Sequence, residues 1–163
     1  PKEPSSAKRC DISRRFVERE HKCMLKKNIY SHIKFLCKQG DSLSDKGNYS
    51  KALEKYREAA GCVPAPCTDW EAATWIYTAI GETLILMGDY DEALRNLLVA
   101  VQSPGGLGNP LVHLRLGEAY YELGNFDKAA DELTRSYMGA GAEIFEHEDP
   151  KYYQFLLKNI IIQ

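Results

Sequence analysis

The sequence lacks the features that mark membrane-spanning, secreted and metal-binding proteins. No apolar run approaches the roughly eighteen residues that a membrane helix requires. The basic residues near the N-terminus are not followed by the apolar stretch of a signal peptide. The five cysteines are odd in number and form no CxxC pair, which argues against a disulfide framework and a zinc site. We therefore expect a reduced, cytoplasmic protein without membrane contact.

Motifs of known enzymes are also missing. The chain contains no phosphate-binding loop, GxSxG or HExxH, and its four histidines lie in four separate segments. His113 is one of them, and we expect it to serve in packing. The segment EIFEHED contains four carboxylates and one histidine, which could bind a cation. On a helix, however, these side chains would point in different directions, so the segment is typical of an acidic stretch exposed to solvent. We expect no catalytic residues, no cofactor and no metal site.

Charge is balanced overall but unevenly distributed along the chain. The 163 residues carry 21 Lys and Arg against 23 Asp and Glu, and this length suits a single domain. Residues 1–39 contain eleven basic and four acidic residues, whereas residues 40–163 contain ten and nineteen. The pattern predicts a basic arm on an acidic body, and such a body disfavours nucleic acid. The arm has an amphipathic spacing, which favours packing against the body over phosphate binding.

One pattern occurs three times in the chain. Each copy has two glycines seven residues apart, then an aromatic residue, an alanine and a large side chain. The first glycines are Gly40, Gly81 and Gly117, the second are Gly47, Gly88 and Gly124, and the large residues are Tyr56, Leu97 and Leu133. The first glycine lets a second helix approach closely, and the second suits the left-handed end of a helix. Each copy therefore predicts a helix pair that stacks on the next.

This pattern resembles the tetratricopeptide repeat, a helix-turn-helix unit of about 34 residues. The resemblance implies an all-α solenoid of about three repeats, with a helix on either side. Asp149-Pro150 is typical of a helix start, and we expect the amphipathic helix after it to cover the last repeat. The predicted segments are a mobile N-terminus at 1–10, a basic helix at 11–32, repeats at 33–66, 69–106 and 109–141, and an acidic link with a capping helix at 142–163.

The resemblance also implies a binding face. Tetratricopeptide repeats hold protein partners in a concave face formed by the first helix of each repeat. The predicted partner-binding residues are Asp41, Asp45, Trp75, Thr78, Glu82, Ile85, Leu114, Glu118, Tyr121 and Glu122. The aromatic residues would anchor a partner, and the carboxylates would attract a basic surface or only keep the face solvated. The Lys and Asn clamp for heat-shock proteins is absent, since Cys37, Asp41, Ser44 and Asp45 occupy its positions.

Residues 109–156 resemble more closely the C-terminal half of small bacterial repeat proteins associated with antibacterial toxin systems. The resemblance implies an immunity protein that neutralises one cognate toxin by occluding its active site or substrate cleft. The alternative is an adaptor or assembly chaperone that binds basic or apolar peptide segments. An enzyme is the third and least favoured class. A toxin gene directly upstream would distinguish the first class from the second.

Overall fold

The computed structural model describes residues 25–159, which form seven α-helices and no β-strand. The helices are α1 (Lys27–Ser44), α2 (Tyr49–Gly61), α3 (Glu71–Met87), α4 (Tyr90–Gln102), α5 (Pro110–Glu122), α6 (Phe126–Ala140) and α7 (Pro150–Asn159). Short 3₁₀ turns lie at Cys67–Asp69 and Ala142–Phe145. None of these helices combines the length and apolar character needed to cross a bilayer. The all-α prediction is confirmed for this part of the chain.

Consecutive helices form pairs that stack along the chain. α1 packs on α2, α3 on α4 and α5 on α6, and each pair contacts the next. α1 runs without interruption through the boundary that the sequence predicted after residue 32. The predicted mobile segment at 1–10, and the predicted basic helix as far as residue 24, lie outside the described residues. The architecture is the helical-repeat solenoid expected from the glycine pattern.

Close helix packing depends on the first glycine of each repeat. A methyl group at Gly81 would lie 2.5 Å from Cγ of Leu97, and one at Gly117 would lie 2.6 Å from Cδ2 of Leu133. Both leucines are fully buried on the second helix of their pair. No real side-chain carbon tolerates such distances, so the two helices can approach only because these positions lack a side chain. This prediction is confirmed.

The turn inside each pair follows one design. Gly88 has φ of 81°, a left-handed conformation that glycine adopts without strain. The next residue, Asp89, donates its N–H to the carbonyl of Leu84 at 2.9 Å. The Asp89 carboxylate in turn accepts the N–H of Glu92 and caps α4. The second glycine therefore ends the first helix of the pair, as its spacing predicted.

The C-terminal helix closes the last repeat. Tyr152 and Leu156 of α7 share a buried cluster with Leu114 of α5 and Leu133 of α6. The side chain of Asp149 accepts the N–H of Lys151 at 2.9 Å and so caps the first turn of α7. The capping helix predicted from Asp149-Pro150 is therefore present. Its position decides which part of the concave face stays open.

Candidate partner-binding face

The predicted binding residues do not all lie on an open surface. Asp41 and Asp45 of α1 are exposed, whereas other predicted residues are half-buried, namely Trp75, Glu82, Ile85, Tyr121 and Glu122. Thr78, Leu114 and Glu118 are buried, with 6%, 0% and 1% of their surface exposed. A partner cannot touch these three side chains. Their assignment to the binding face is therefore wrong.

Two of the three corrections have simple causes in packing. The hydroxyl of Thr78 donates to the carbonyl of Thr74 at 2.6 Å, within the same helix. Leu114 is covered by Tyr152 and Leu156 of α7. The sequence mapping assumed that the face continues along the third repeat, but the capping helix lies there. The open part of the face is therefore restricted to the first two repeats.

Glu118 is buried because it belongs to an ion-pair network around one arginine. Arg115 Nη1 lies 2.9 Å from Oε2 of Glu118 and 2.8 Å from Oε2 of Glu148. Arg115 Nη2 lies 2.6 Å from Oε1 of Glu82. These contacts join α3 and α5 to the segment that leads into α7. The network thus connects the second repeat, the third repeat and the cap through one side chain.

Burial sets the electrostatics of this network. It raises the pKa of Glu118 to about 7, although the Arg115 guanidinium opposes the rise and the Glu148 carboxylate adds to it. Burial also disfavours the charged form of Arg115, but the surrounding carboxylates outweigh this effect and hold the pKa of Arg115 above its usual range. Sequence reasoning missed Arg115. The signal available was a single charge within the apolar run LVHLRLG.

A second ion pair, between Lys151 and Glu122, neutralises the other acidic residue of α5. Lys151 Nζ lies 2.7 Å from Oε1 of Glu122, and the hydroxyl of Tyr152 donates to the same oxygen at 2.7 Å. The ring of Tyr121 meets the rings of Tyr152 and Phe155 at centroid distances of 5.4 and 5.1 Å. Glu122 and Tyr121 therefore help to dock α7. The face is less acidic than the sequence suggested, because Arg115 and Lys151 contribute opposing charge.

An open pocket of about 620 Å³ lies between α1 and α3. Tyr30 and Trp75 form its aromatic wall, with ring centroids 6.5 Å apart and planes at 90°. Asp41 lies at its edge and accepts the hydroxyl of Tyr56 at 2.8 Å. Burial, with a contribution from Asp41, raises the pKa of the Cys37 thiol at the pocket to about 12, so this cysteine stays neutral near pH 7. The pocket offers apolar contact area beside polar groups and no activated nucleophile.

Charges of both signs border this pocket. Lys34 lies 5.4 Å above the ring of Tyr30, and Lys38 lines the same wall. Within residues 25–159 neither lysine forms an ion pair with a carboxylate. Beyond the pocket, the exposed side chains of Leu86 and Met87 end α3. The open face therefore combines apolar area with a mixed charge pattern, which is typical of a protein-binding surface.

The comparisons with known proteins agree with the helix-pair geometry. Residues 84–136, from the last turn of α3 to near the end of α6, match the family model of the tetratricopeptide repeat. This stretch of the chain is therefore similar to tetratricopeptide repeats. Tetratricopeptide repeats generally mediate protein–protein interactions. No curated protein matches the sequence.

Proposed function

We propose that this repeat protein is a non-enzymatic immunity protein that binds and neutralises one cognate bacterial toxin in the cytoplasm. Two points support the proposal: residues 84–136 match a repeat family that generally mediates protein–protein interactions, and residues 109–156 resemble immunity proteins of toxin systems. We assign the binding face to the side of the solenoid that holds the open pocket beside Tyr30 and Trp75. A toxin seated there would have its active site or substrate cleft covered by the concave face.

The open face offers the partner two kinds of contact. The Trp75 and Tyr30 rings are rigid apolar anchors of the type that dominates binding energy at interfaces. The Asp41, Asp45 and Glu82 carboxylates would attract basic groups of the toxin and accelerate association. Glu82 keeps 40% of its side chain exposed although it pairs with Arg115. The same carboxylates would repel nucleic acid, so a protein partner is the better match.

The pocket also favours a second candidate function. A volume of about 620 Å³ bounded by two aromatic rings can take one or two side chains of an extended peptide. An adaptor or assembly chaperone would use such a pocket to bind apolar or basic segments of several clients. Its binding would be weaker and more salt-sensitive than that of a dedicated immunity protein, because each client would fill only part of the face.

Purification of the tagged protein from its native cells, at low and high salt, distinguishes the two functions. An immunity protein should retain one stoichiometric partner at high salt, and its co-expression should suppress that partner's toxicity. Several sub-stoichiometric clients that salt removes would establish the adaptor instead. Trp75→Ala should lose the partner, whereas Met138→Ala should retain it, because Met138 is 81% exposed on α6 and away from the pocket.

A further inference from the structure

Arg115 connects two equivalent carboxylates of neighbouring repeats. Its Nη2 lies 2.6 Å from Oε1 of Glu82, and its Nη1 lies 2.9 Å from Oε2 of Glu118. Each glutamate directly follows the first glycine of its repeat, so the two hold the same place in α3 and α5. Arg115 itself lies two residues before the glycine of α5. One guanidinium therefore bridges the second and third repeats from a defined position of the repeat.

Within residues 25–159, the same arrangement between the first and second repeats has no bridging cation. Asp41 directly follows the first glycine of α1 and is therefore the counterpart of Glu82. Ala79 lies two residues before the glycine of α3, where α5 has Arg115. Its methyl side chain cannot bridge two carboxylates. Lys38, one turn before Asp41 on α1, forms no ion pair in this part of the chain.

Both carboxylates retain an oxygen for a further hydrogen bond. The hydroxyl of Tyr56 donates to Oδ1 of Asp41 at 2.8 Å, and Arg115 donates to Oε1 of Glu82. The second oxygen of each carboxylate accepts no hydrogen bond from residues 25–159. Burial raises the pKa of Tyr56, and Asp41 and, to a smaller extent, Glu82 add to the rise. Both carboxylates therefore lie within electrostatic reach of one hydroxyl.

The pocket between α1 and α3 gives access to this place from outside. Asp41, Tyr56, Trp75 and Ala79 all line it. Asp41 is exposed, and Glu82 keeps 40% of its side chain exposed. The Trp75 ring offers a face on which a guanidinium can stack. A side chain from a bound protein can therefore reach the carboxylates beside this ring.

We propose that the partner inserts an arginine into this pocket, where its guanidinium bridges Asp41 and Glu82 as Arg115 bridges the next pair. This inference rests on the proposed function, because it names the side chain by which the bound protein is recognised. Arginine suits the site better than lysine, since its fork of donors reaches two carboxylates at once. Lys34 and Lys38 line the same pocket and would repel further basic groups, so one arginine matches the site better than a basic patch.

Placing a guanidinium at the site from within the chain tests it without a partner. Ala79→Arg should raise the urea midpoint of unfolding by about 0.3 M relative to Ala79→Met, whose side chain is long but uncharged. Adding Asp41→Asn to both variants should remove this difference, although asparagine keeps an oxygen that can accept the Tyr56 hydroxyl. Equal midpoints for Ala79→Arg and Ala79→Met would overturn the inference.

The partner recovered from native cells supplies the second test. Asp41→Asn and Ala79→Arg should each weaken its binding at least tenfold, the latter because the introduced guanidinium occupies the place of the partner's arginine. Asp131→Asn, the same change at a side chain that is 61% exposed on α6, should leave the affinity unchanged. Replacing one arginine of the partner with lysine should cost as much as Asp41→Asn, and the two changes together should cost no more than either alone.

The results separate this inference from the proposed function. A partner whose toxicity is suppressed equally well by Asp41→Asn and Ala79→Arg, with unchanged affinity, would overturn the inference and leave the immunity function standing. Recovery of no stoichiometric partner would contradict the proposed function, whereas the urea comparison would still decide whether the site holds a guanidinium.

Discussion

Replacing Arg115 with leucine should destabilise the protein strongly, and more at pH 8 than at pH 5. The substitution keeps an aliphatic side chain at a position where 11% of the side chain is exposed, but it removes the only cation that contacts Glu118 among the described ion pairs. Glu118 cannot turn to water, because it is 1% exposed. Leaving a buried carboxylate charged without its partner is strongly unfavourable, so Glu118 takes up a proton instead. The other two carboxylates, Glu82 and Glu148, are partly exposed and add about 0–1 kcal/mol each.

The pH dependence follows from the raised pKa of Glu118. The pKa of the Glu118 carboxyl is 4.5 in the unfolded state and about 7 in the folded state, so the folded state binds its proton more tightly. Proton binding to Glu118 therefore stabilises the fold fully below pH 4.5, and this stabilisation is lost as the pH rises through about 7. In Arg115→Leu the pKa rises further, because the opposing charge is gone. Glu118 therefore stays protonated at pH 8 in the variant, and the additional loss of stability there is about 1–2 kcal/mol. At pH 5 Glu118 is protonated and only the two partly exposed pairs are lost, at about 0–2 kcal/mol in total.

Urea unfolding followed by circular dichroism, at pH 5 and pH 8, measures both effects. Arg135→Leu is the matched control, because Arg135 pairs with a single carboxylate on the helix surface and is 51% exposed. It should change the free energy of unfolding by less than about 0.5 kcal/mol at either pH. Adding Glu118→Gln to Arg115→Leu should recover most of the loss at pH 8. A loss below about 1 kcal/mol at pH 8, or an equal loss at both pH values, would refute the reasoning.

Two further substitutions test the packing of the third repeat by the same unfolding assay. Gly117→Ala should lower the free energy of unfolding by about 1–3 kcal/mol, because its methyl group would lie 2.6 Å from the buried Leu133. Gly61→Ala is the control and should be neutral, since no other atom lies near that position. Equal effects of the two substitutions would show that helix propensity alone matters. His113→Phe should cost about 1–3 kcal/mol, since it leaves the Glu132 carboxylate and a loop carbonyl, which contact its ring nitrogens at 2.6 and 2.7 Å, without a partner. An unchanged free energy of unfolding would indicate that position 113 requires only a large side chain and not these two polar contacts.

The parts of the fold that depend on local spacing could be predicted from the sequence. The close approaches at Gly81 and Gly117 and the left-handed turn at Gly88 are set by residues within a single helix pair. Asp149 caps the final helix through its own neighbour Lys151. In each case the physical cause lies in the same segment as its consequence, so a repeated pattern is sufficient to reveal it.

The candidate site depends on contacts between distant segments, and here sequence reasoning failed in part. Arg115 meets Glu82 and Glu148, each 33 residues away along the chain. Leu114 has the register of a concave-face residue, but it is covered because α7 folds back onto α5 through Leu156. A repeat pattern specifies which side of each helix points to the concave face. It does not specify which part of the concave face a capping helix then covers.

The central claim is that a protein partner binds the open face between α1 and α3. The most direct test is the dissociation rate of the partner recovered from native cells, measured on immobilised protein, Trp75→Ala and Met138→Ala. We predict that Trp75→Ala raises the dissociation rate by a factor that corresponds to about 2 kcal/mol, while Met138→Ala leaves it unchanged. Equal dissociation rates for all three proteins would place the interface elsewhere and contradict the account.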